Sequence, residues 1–129
     1  MPVAADIDVL IVDDQRTMRS LVHTSLRELG FIRFRECMDG QDALDSLMTR
    51  PAHLVISDMN MPQLDGMGLL REVRARPALK NMAFIMLTAR GEVELVRRAV
   101  ALGVNNYLVK PFTLVTLKKK IEAVLGPLT

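Results

Sequence analysis

The stretch Asp8-Val-Leu-Ile-Val-Asp-Asp14 decides how the rest of the chain is read. Its centre is short, wholly apolar and β-branched, as in a strand covered on both faces, and it stops abruptly on two adjacent carboxylates. A strand of that kind needs helices above and below its sheet. Helical spacing follows at once, with Met18, Leu21, Val22, Leu26 and Leu29 on one stripe and Gly30 as a C-terminal stop.

The same alternation recurs along the chain. A second strand is predicted within Phe31 to Met38, where the apolar pattern is weakest. Asp39-Gly40 reads as a turn before a helix carrying Ala43, Leu44, Leu47 and Met48, which Pro51 ends. His53-Leu-Val-Ile-Ser57 is a third strand that delivers Asp58, and Asp65 is placed to cap a helix with Met67, Leu70 and Val73. After Pro77, Ala83 to Leu87 forms a fourth strand ending at Thr88, and Val93, Val96 and Val100 line a helix closed by Gly103. Tyr107-Leu-Val109 is a fifth strand ending at Lys110-Pro111. Thr113 caps a last helix with Leu114, Leu117, Ile121 and Val124 inward, stopped by Gly126-Pro127.

Strands alternating with helices over short links predict an α/β fold, a (βα)5 doubly wound five-stranded parallel sheet, in one domain over 1–129. Crossovers between parallel strands are right-handed, which leaves few topologies. With four Phe, one Tyr and no Trp, aliphatic side chains fill the interior, and most of the nine Met are expected there as adaptable filler.

The net charge of +2 is too small to argue for a polyanionic partner. The basic groups at Arg71, Arg74, Arg76 and Lys80, at Arg97 and Arg98, and at Lys118 to Lys120 read as solvated helix faces, and no helix-turn-helix remains to read DNA. The lone Cys37 cannot form an internal disulfide, which fits a reducing compartment, and it is expected to be buried. The chain opens without a signal-peptide pattern, and no apolar run approaches the ~18 residues of a membrane span. The expectation is a cytoplasmic monomer that binds neither nucleic acid nor membrane.

In an open parallel sheet, chemistry gathers beyond the carboxyl ends of the strands. Those ends carry Asp13 and Asp14, Asp58, Thr88 and Lys110. Three carboxylates in one crevice suit a hard, oxygen-loving cation such as Mg2+, with Asn60 able to add a backbone carbonyl. His23 and His53 stand alone and read as surface or packing residues rather than zinc ligands. An ammonium and a hydroxyl beside a divalent ion fit a tetrahedral phosphoryl group, with Asp58 as the nucleophile. Singly, each residue has a plainer explanation: Asp13 or Asp14 as a helix cap, Thr88 as a turn residue, Lys110 as a surface charge, Tyr107 as half-buried packing. Their coincidence at one end of successive strands favours the site.

The segments Val12-Asp-Asp-Gln-Arg-Thr-Met-Arg19, Ile56-Ser-Asp-Met-Asn-Met-Pro62 with Leu64-Asp-Gly66, Leu87-Thr-Ala89 and Tyr107-Leu-Val-Lys-Pro-Phe-Thr113 resemble the receiver domains of response regulators in two-component systems, among them the stand-alone chemotaxis regulators of the CheY type. The resemblance spans essentially the whole chain. It implies the flavodoxin-like strand order 2-1-3-4-5. It implies a signalling switch rather than an enzyme, one that loses its phosphate slowly and has no output domain. Asp58 would be the phosphoacceptor, with Asp14, Asp58, Asp13 through water and the Asn60 carbonyl around Mg2+, Lys110 on the acyl phosphate and a cis bond before Pro111. Thr88 and Tyr107 would move on phosphorylation and alter a surface holding Val93, Val96, Val100, Tyr107 and Lys120. The implied partners are a histidine kinase as donor, a downstream protein such as the flagellar motor switch, and a phosphatase.

Two positions depart from the best-known pattern. Met59 stands where an aromatic is familiar, and Arg90 stands where an acidic residue is, so Arg90 is expected to affect acyl-phosphate lifetime or phosphatase access. Other readings are a phosphorelay intermediate or phosphate sink with the same fold and site, a degenerate receiver kept as an interaction module, and an Asp-nucleophile phosphohydrolase with a similar sheet. Haloacid-dehalogenase-like phosphohydrolases want an Asp where Asn60 stands and a cap domain for which there is no room. A nucleotide-binding flavodoxin-like protein would want a glycine-rich loop after the first strand, which is absent.

Overall fold

The computed structural model describes residues 3–129. Five strands, β1 (Asp8–Val12), β2 (Arg33–Cys37), β3 (Leu54–Asp58), β4 (Ala83–Ala89) and β5 (Asn106–Lys110), alternate with α1 (Arg16–Glu28), α2 (Gly40–Thr49), α3 (Gly66–Ala75), α4 (Val93–Ala101) and α5 (Leu114–Leu125). They form one parallel sheet in the order β2-β1-β3-β4-β5. The expected α/β architecture and strand order are both present.

Side chains alternate across a strand, so the sheet has two apolar faces. Leu10, Val12, Val55, Phe84 and Met86 pack with Leu44 and Leu47 of α2, Leu70 and Val73 of α3 and Ala99 of α4. Val9, Ile11, Ile56, Leu87 and Leu108 pack on the other face with Val22 and Leu26 of α1 and Leu117 and Ile121 of α5. The central strand β3 is buried at every position, as its continuous apolar run requires.

Local chemistry sets the helix starts. The carboxylates of Asp39 and Asp65 accept the backbone N–H groups of Asp42 and Gly68, both at 2.8 Å, and the Thr113 hydroxyl accepts that of Thr116 at 3.1 Å. Asp39 and Gly40 are thus the N-cap and first residue of α2 rather than a separate turn. Strand β2 is shorter than the predicted segment because Phe31 is already buried in the core ahead of it and Met38 stands exposed after it.

Some side chains expected inward point to solvent. Leu21 and Met48 are exposed, since α1 and α2 bury narrower stripes centred on Val22 and Leu26 and on Ala43, Leu44 and Leu47. In α4 the inward residues are Leu95 and Ala99, joined by Leu102 just after the helix, and Val93 and Val100 face out. Cys37 is half-buried rather than enclosed. Of the methionines, Met59, Met67, Met82 and Met86 are core and Met38 and Met48 are exposed; Met1 lies outside the described residues. His23 pairs with Glu36 and packs on Phe34, while His53 accepts the Asp8 backbone N–H. Among the described residues no helix is long and apolar enough to cross a membrane.

Candidate functional site

Strand register places the site. Val12 pairs with Ser57, so Asp13 and Asp58 end β1 and β3 at the same level and on the same face. Asp58 pairs with Leu87 and Leu87 with Leu108, which leaves Lys110 on that face two residues further along β5. At ~3.3 Å per residue the Lys110 backbone lies about 7 Å beyond the Asp58 level. Its long side chain spans that offset, and Nζ donates to Asp58 Oδ1 at 2.7 Å. Thr88, one residue past Leu87, falls on the opposite face, which it shares with Met86 and its partner Tyr107.

The carboxylates of Asp13, Asp14 and Asp58 offer ligand oxygens within 4.8 Å of one another. Asp13 and Asp58 are buried and Asp14 is exposed. Asp13 Oδ1 accepts the Gln15 backbone N–H at 2.8 Å, while Oδ2 is buried with no hydrogen-bond partner. Burial raises the Asp13 carboxyl pKa to about 6; the Gln15 N–H and the Lys110 ammonium oppose the rise, and the charges of Asp58 and Asp14 add to it. Neither Asp13 nor Asp14 caps α1, whose N-cap is Gln15.

An orphaned buried oxygen beside two further carboxylates is an acceptor-only set that calls for a positive charge. Lys110 already meets one oxygen of Asp58. The remaining all-oxygen ligands fit Mg2+ and offer nothing for a soft metal.

The surroundings hold these groups in place. Arg19 donates to the Asp13 carbonyl at 2.8 Å and pairs with Glu36, tying β1 to β2. The Ser57 hydroxyl donates to the Asp58 carbonyl, and the Gly66 N–H to the Met59 carbonyl at 2.9 Å, folding the β3–α3 loop back over the strand end. A Cβ at Gly66 would collide with the Asp58 carbonyl, so only glycine allows that approach. The Lys110–Pro111 bond is cis.

The Asn60 side chain and the Thr88 hydroxyl reach toward a residue that sequence reasoning missed. Glu92 receives the Asn60 amide on Oε1 and the Thr88 hydroxyl on Oε2, each at 3.4 Å. Arg90, singled out from the sequence, is exposed instead. Glu92, Thr88, Val93, Val96, Tyr107 and Val109 also line a cavity of about 230 Å³ between α4 and β5. Tyr107 lies with its ring centroid 4.6 Å from the Lys120 ammonium.

A five-stranded parallel sheet that brings an acidic cluster and an ammonium together past its carboxyl edge is the design of a receiver. Residues 9–122 match the response regulator receiver domain, and the chain belongs to that family. It is 50% identical to a probable chemotaxis protein CheY of Rhizobium etli over 128 residues, 99% of each chain. The solved structure of Vibrio cholerae CheY4 superposes with a TM-score of 0.83 at 32% identity, over 92% of this chain and 98% of that one. The receiver domain of a Pseudomonas aeruginosa sensor histidine kinase, solved with a magnesium ion coordinated in its active-site cleft, gives a TM-score of 0.84 at 28% identity, covering 94% and 98%. The chain is therefore CheY-like, in a family of signalling switches rather than classical enzymes.

Proposed function

We propose that Asp58 accepts a phosphoryl group from the phosphohistidine of a histidine kinase, and that the acyl phosphate switches a protein-binding surface in the cytoplasm. The observation that carries this reading is the trio of carboxylates within 4.8 Å, one of them held by an ammonium at 2.7 Å and one with an orphaned oxygen. An Asp58 oxygen attacks phosphorus as the P–N bond to the donor imidazole breaks, and the imidazole leaves with the bonding pair. Asp13, Asp14, Asp58 and the Asn60 carbonyl would hold Mg2+, which supplies positive charge to the phosphoryl oxygens. Lys110 supplies a second, fixed charge, released from Asp58 as negative charge builds on the transferred group.

Thr88 and Tyr107 form the switch, and Val93, Val96, Val100, Tyr107 and Lys120 the docking surface. The exposure of Val93 and Val100, about two turns apart on α4, supports this, as does the exposed Val109 beside Tyr107. The full-length likeness to a chemotaxis protein favours the flagellar motor switch as downstream partner over a relay or sink role. Arg90 affects acyl-phosphate lifetime or phosphatase access, a reading that its exposure two residues past Thr88 supports.

The test is incubation with acetyl phosphate and Mg2+ followed by intact-mass measurement. The wild type should gain one phosphoryl group and Asp58→Asn none, and neither should turn over a generic phosphomonoester. Equal labelling of the two proteins, or no labelling of either, sinks the assignment.

A further inference from the structure

Glu92 is the N-cap residue of α4, where an acidic side chain ordinarily turns onto the exposed N–H groups of its own first turn. It makes no such capping bond. Its carboxylate instead bridges two strand ends, one oxygen 3.4 Å from the Asn60 amide on the β3–α3 loop and the other 3.4 Å from the Thr88 hydroxyl at the end of β4. Thr88 is buried, and its hydroxyl proton is shared between the Ala89 carbonyl at 3.0 Å and Glu92. The same Glu92 lines the cavity between α4 and β5, beside Val96 and Tyr107.

We propose that Glu92 is a latch: a positioning residue that holds Thr88 and Asn60 in the unphosphorylated arrangement and is displaced by charge when a phosphoryl group arrives on Asp58. The inference rests on the phosphoacceptor reading above and adds the element that opposes it. An incoming phosphoryl dianion competes with Glu92 for the Thr88 proton and repels its carboxylate. Because Glu92 begins α4, its departure moves the start of that helix and reshapes the adjoining cavity. The carboxylate, freed from Asn60 and Thr88, is then available to cap α4. Negative charge on Glu92 thus disfavours the active arrangement until phosphorylation overcomes it, and the two states differ in which anion holds the threonine.

The test uses the full chain with Mg2+ and beryllofluoride as the phosphoryl mimic, comparing wild type with Glu92→Ala, Glu92→Gln and a control, Glu94→Ala. Glu94 is two residues on, carries the same charge and pairs with Arg97 away from the crevice. Affinity is read by calorimetry and the Thr88 amide by NMR. Glu92→Ala should bind beryllofluoride about two-fold tighter, the factor conferred by removing one long competing hydrogen bond at the weak end of the usual range. Its unliganded Thr88 resonance should shift toward the bound position, which loss of a merely structural residue would not cause. Glu92→Gln should show a smaller shift in the same direction, and Glu94→Ala none. Unchanged or weaker affinity in Glu92→Ala with an unmoved Thr88 resonance overturns the latch, as does an equal gain in Glu94→Ala. Failure of the wild type itself to bind beryllofluoride would overturn the phosphoacceptor reading, and the latch with it.

Discussion

Replacing Asp13 with Asn should stabilise the metal-free protein at neutral pH, although it deletes a residue of the candidate site. The Asp13 carboxyl has a pKa of about 6 against an ordinary 3.8, chiefly because it is buried. Each unit is worth ~1.36 kcal/mol, so keeping it ionised in the fold costs about 3 kcal/mol relative to the unfolded chain. Below about pH 4 the carboxyl is protonated in both states and the penalty vanishes. Between about pH 4 and pH 6 the native protein retains a proton that the unfolded chain has released, so this group's contribution to stability falls as pH rises, then levels off. Asn cannot ionise, and its carbonyl can still accept the Gln15 N–H that Asp13 now accepts at 2.8 Å. Urea unfolding in EDTA should therefore show little difference between wild type and Asp13→Asn near pH 4 and about 3 kcal/mol in favour of the variant above about pH 6.5. A fixed Mg2+ concentration should stabilise the wild type more than the variant, which keeps Asp14 and Asp58 but lacks the third carboxylate. A difference independent of pH, or a less stable variant in metal-free buffer at neutral pH, would refute the argument.

Three further substitutions probe other parts of the design. Lys110→Met removes the cation 2.7 Å from Asp58, so Mg2+ titration should show several-fold tighter binding while labelling by acetyl phosphate slows about a hundredfold. Arg74 donates to the carbonyls of Gly103, Lys80 and Met82 and to Asn105 Oδ1, all at 2.8–2.9 Å, binding the α3–β4 and α4–β5 connections together far from the carboxylates. Arg74→Ala should lose about 3 kcal/mol in urea unfolding and leave the labelling rate at 25 °C unchanged. Gly66→Ala drives a Cβ into the Asp58 carbonyl; it should cost about 2 kcal/mol and, unlike Arg74→Ala, also slow labelling.

The strands β1, β3 and β4 were legible because burial on both faces leaves a continuous apolar run with a sharp polar end. Edge strand β2 is legible only as part of the wider segment Phe31 to Met38, because Arg33, Arg35 and Glu36 interrupt the half-buried Phe34 and Cys37 and blur its ends. The polar end of each strand also marks Asp13, Asp58, Thr88 and Lys110 as candidates, although sequence alone does not show that Thr88 lies on the face opposite Asp58. Glu92 carries no such mark. Nothing in apolar periodicity reports whether an acidic residue at a helix start caps its own helix or turns away, and Gly91 with φ of 89° aims the loop in a way that sequence spacing does not encode.

Register is the device that makes residues nearly a hundred positions apart into one site, and it leaves little tolerance. Side chains alternate with period two, so a one-residue slip of β5 against β4 would bring Val109 to the Asp58 face and turn Lys110 toward α4. The slip would also carry Tyr107 away from Met86 and Leu108 out of the apolar layer it completes with Leu117 and Ile121. The core therefore enforces the pairing of Asp58 with Lys110 without either residue contributing to packing. Divided by the sheet, the two faces hold separate tasks: Asp13, Asp58 and Lys110 on the side of α1 and α5 gather charge, and Thr88 and Tyr107 on the side of α4 lie next to a cavity that a moving side chain can enter. Glu92 reaches both the β3–α3 loop through Asn60 and the end of β4 through Thr88, which ties the loop after the phosphoacceptor strand to the start of α4.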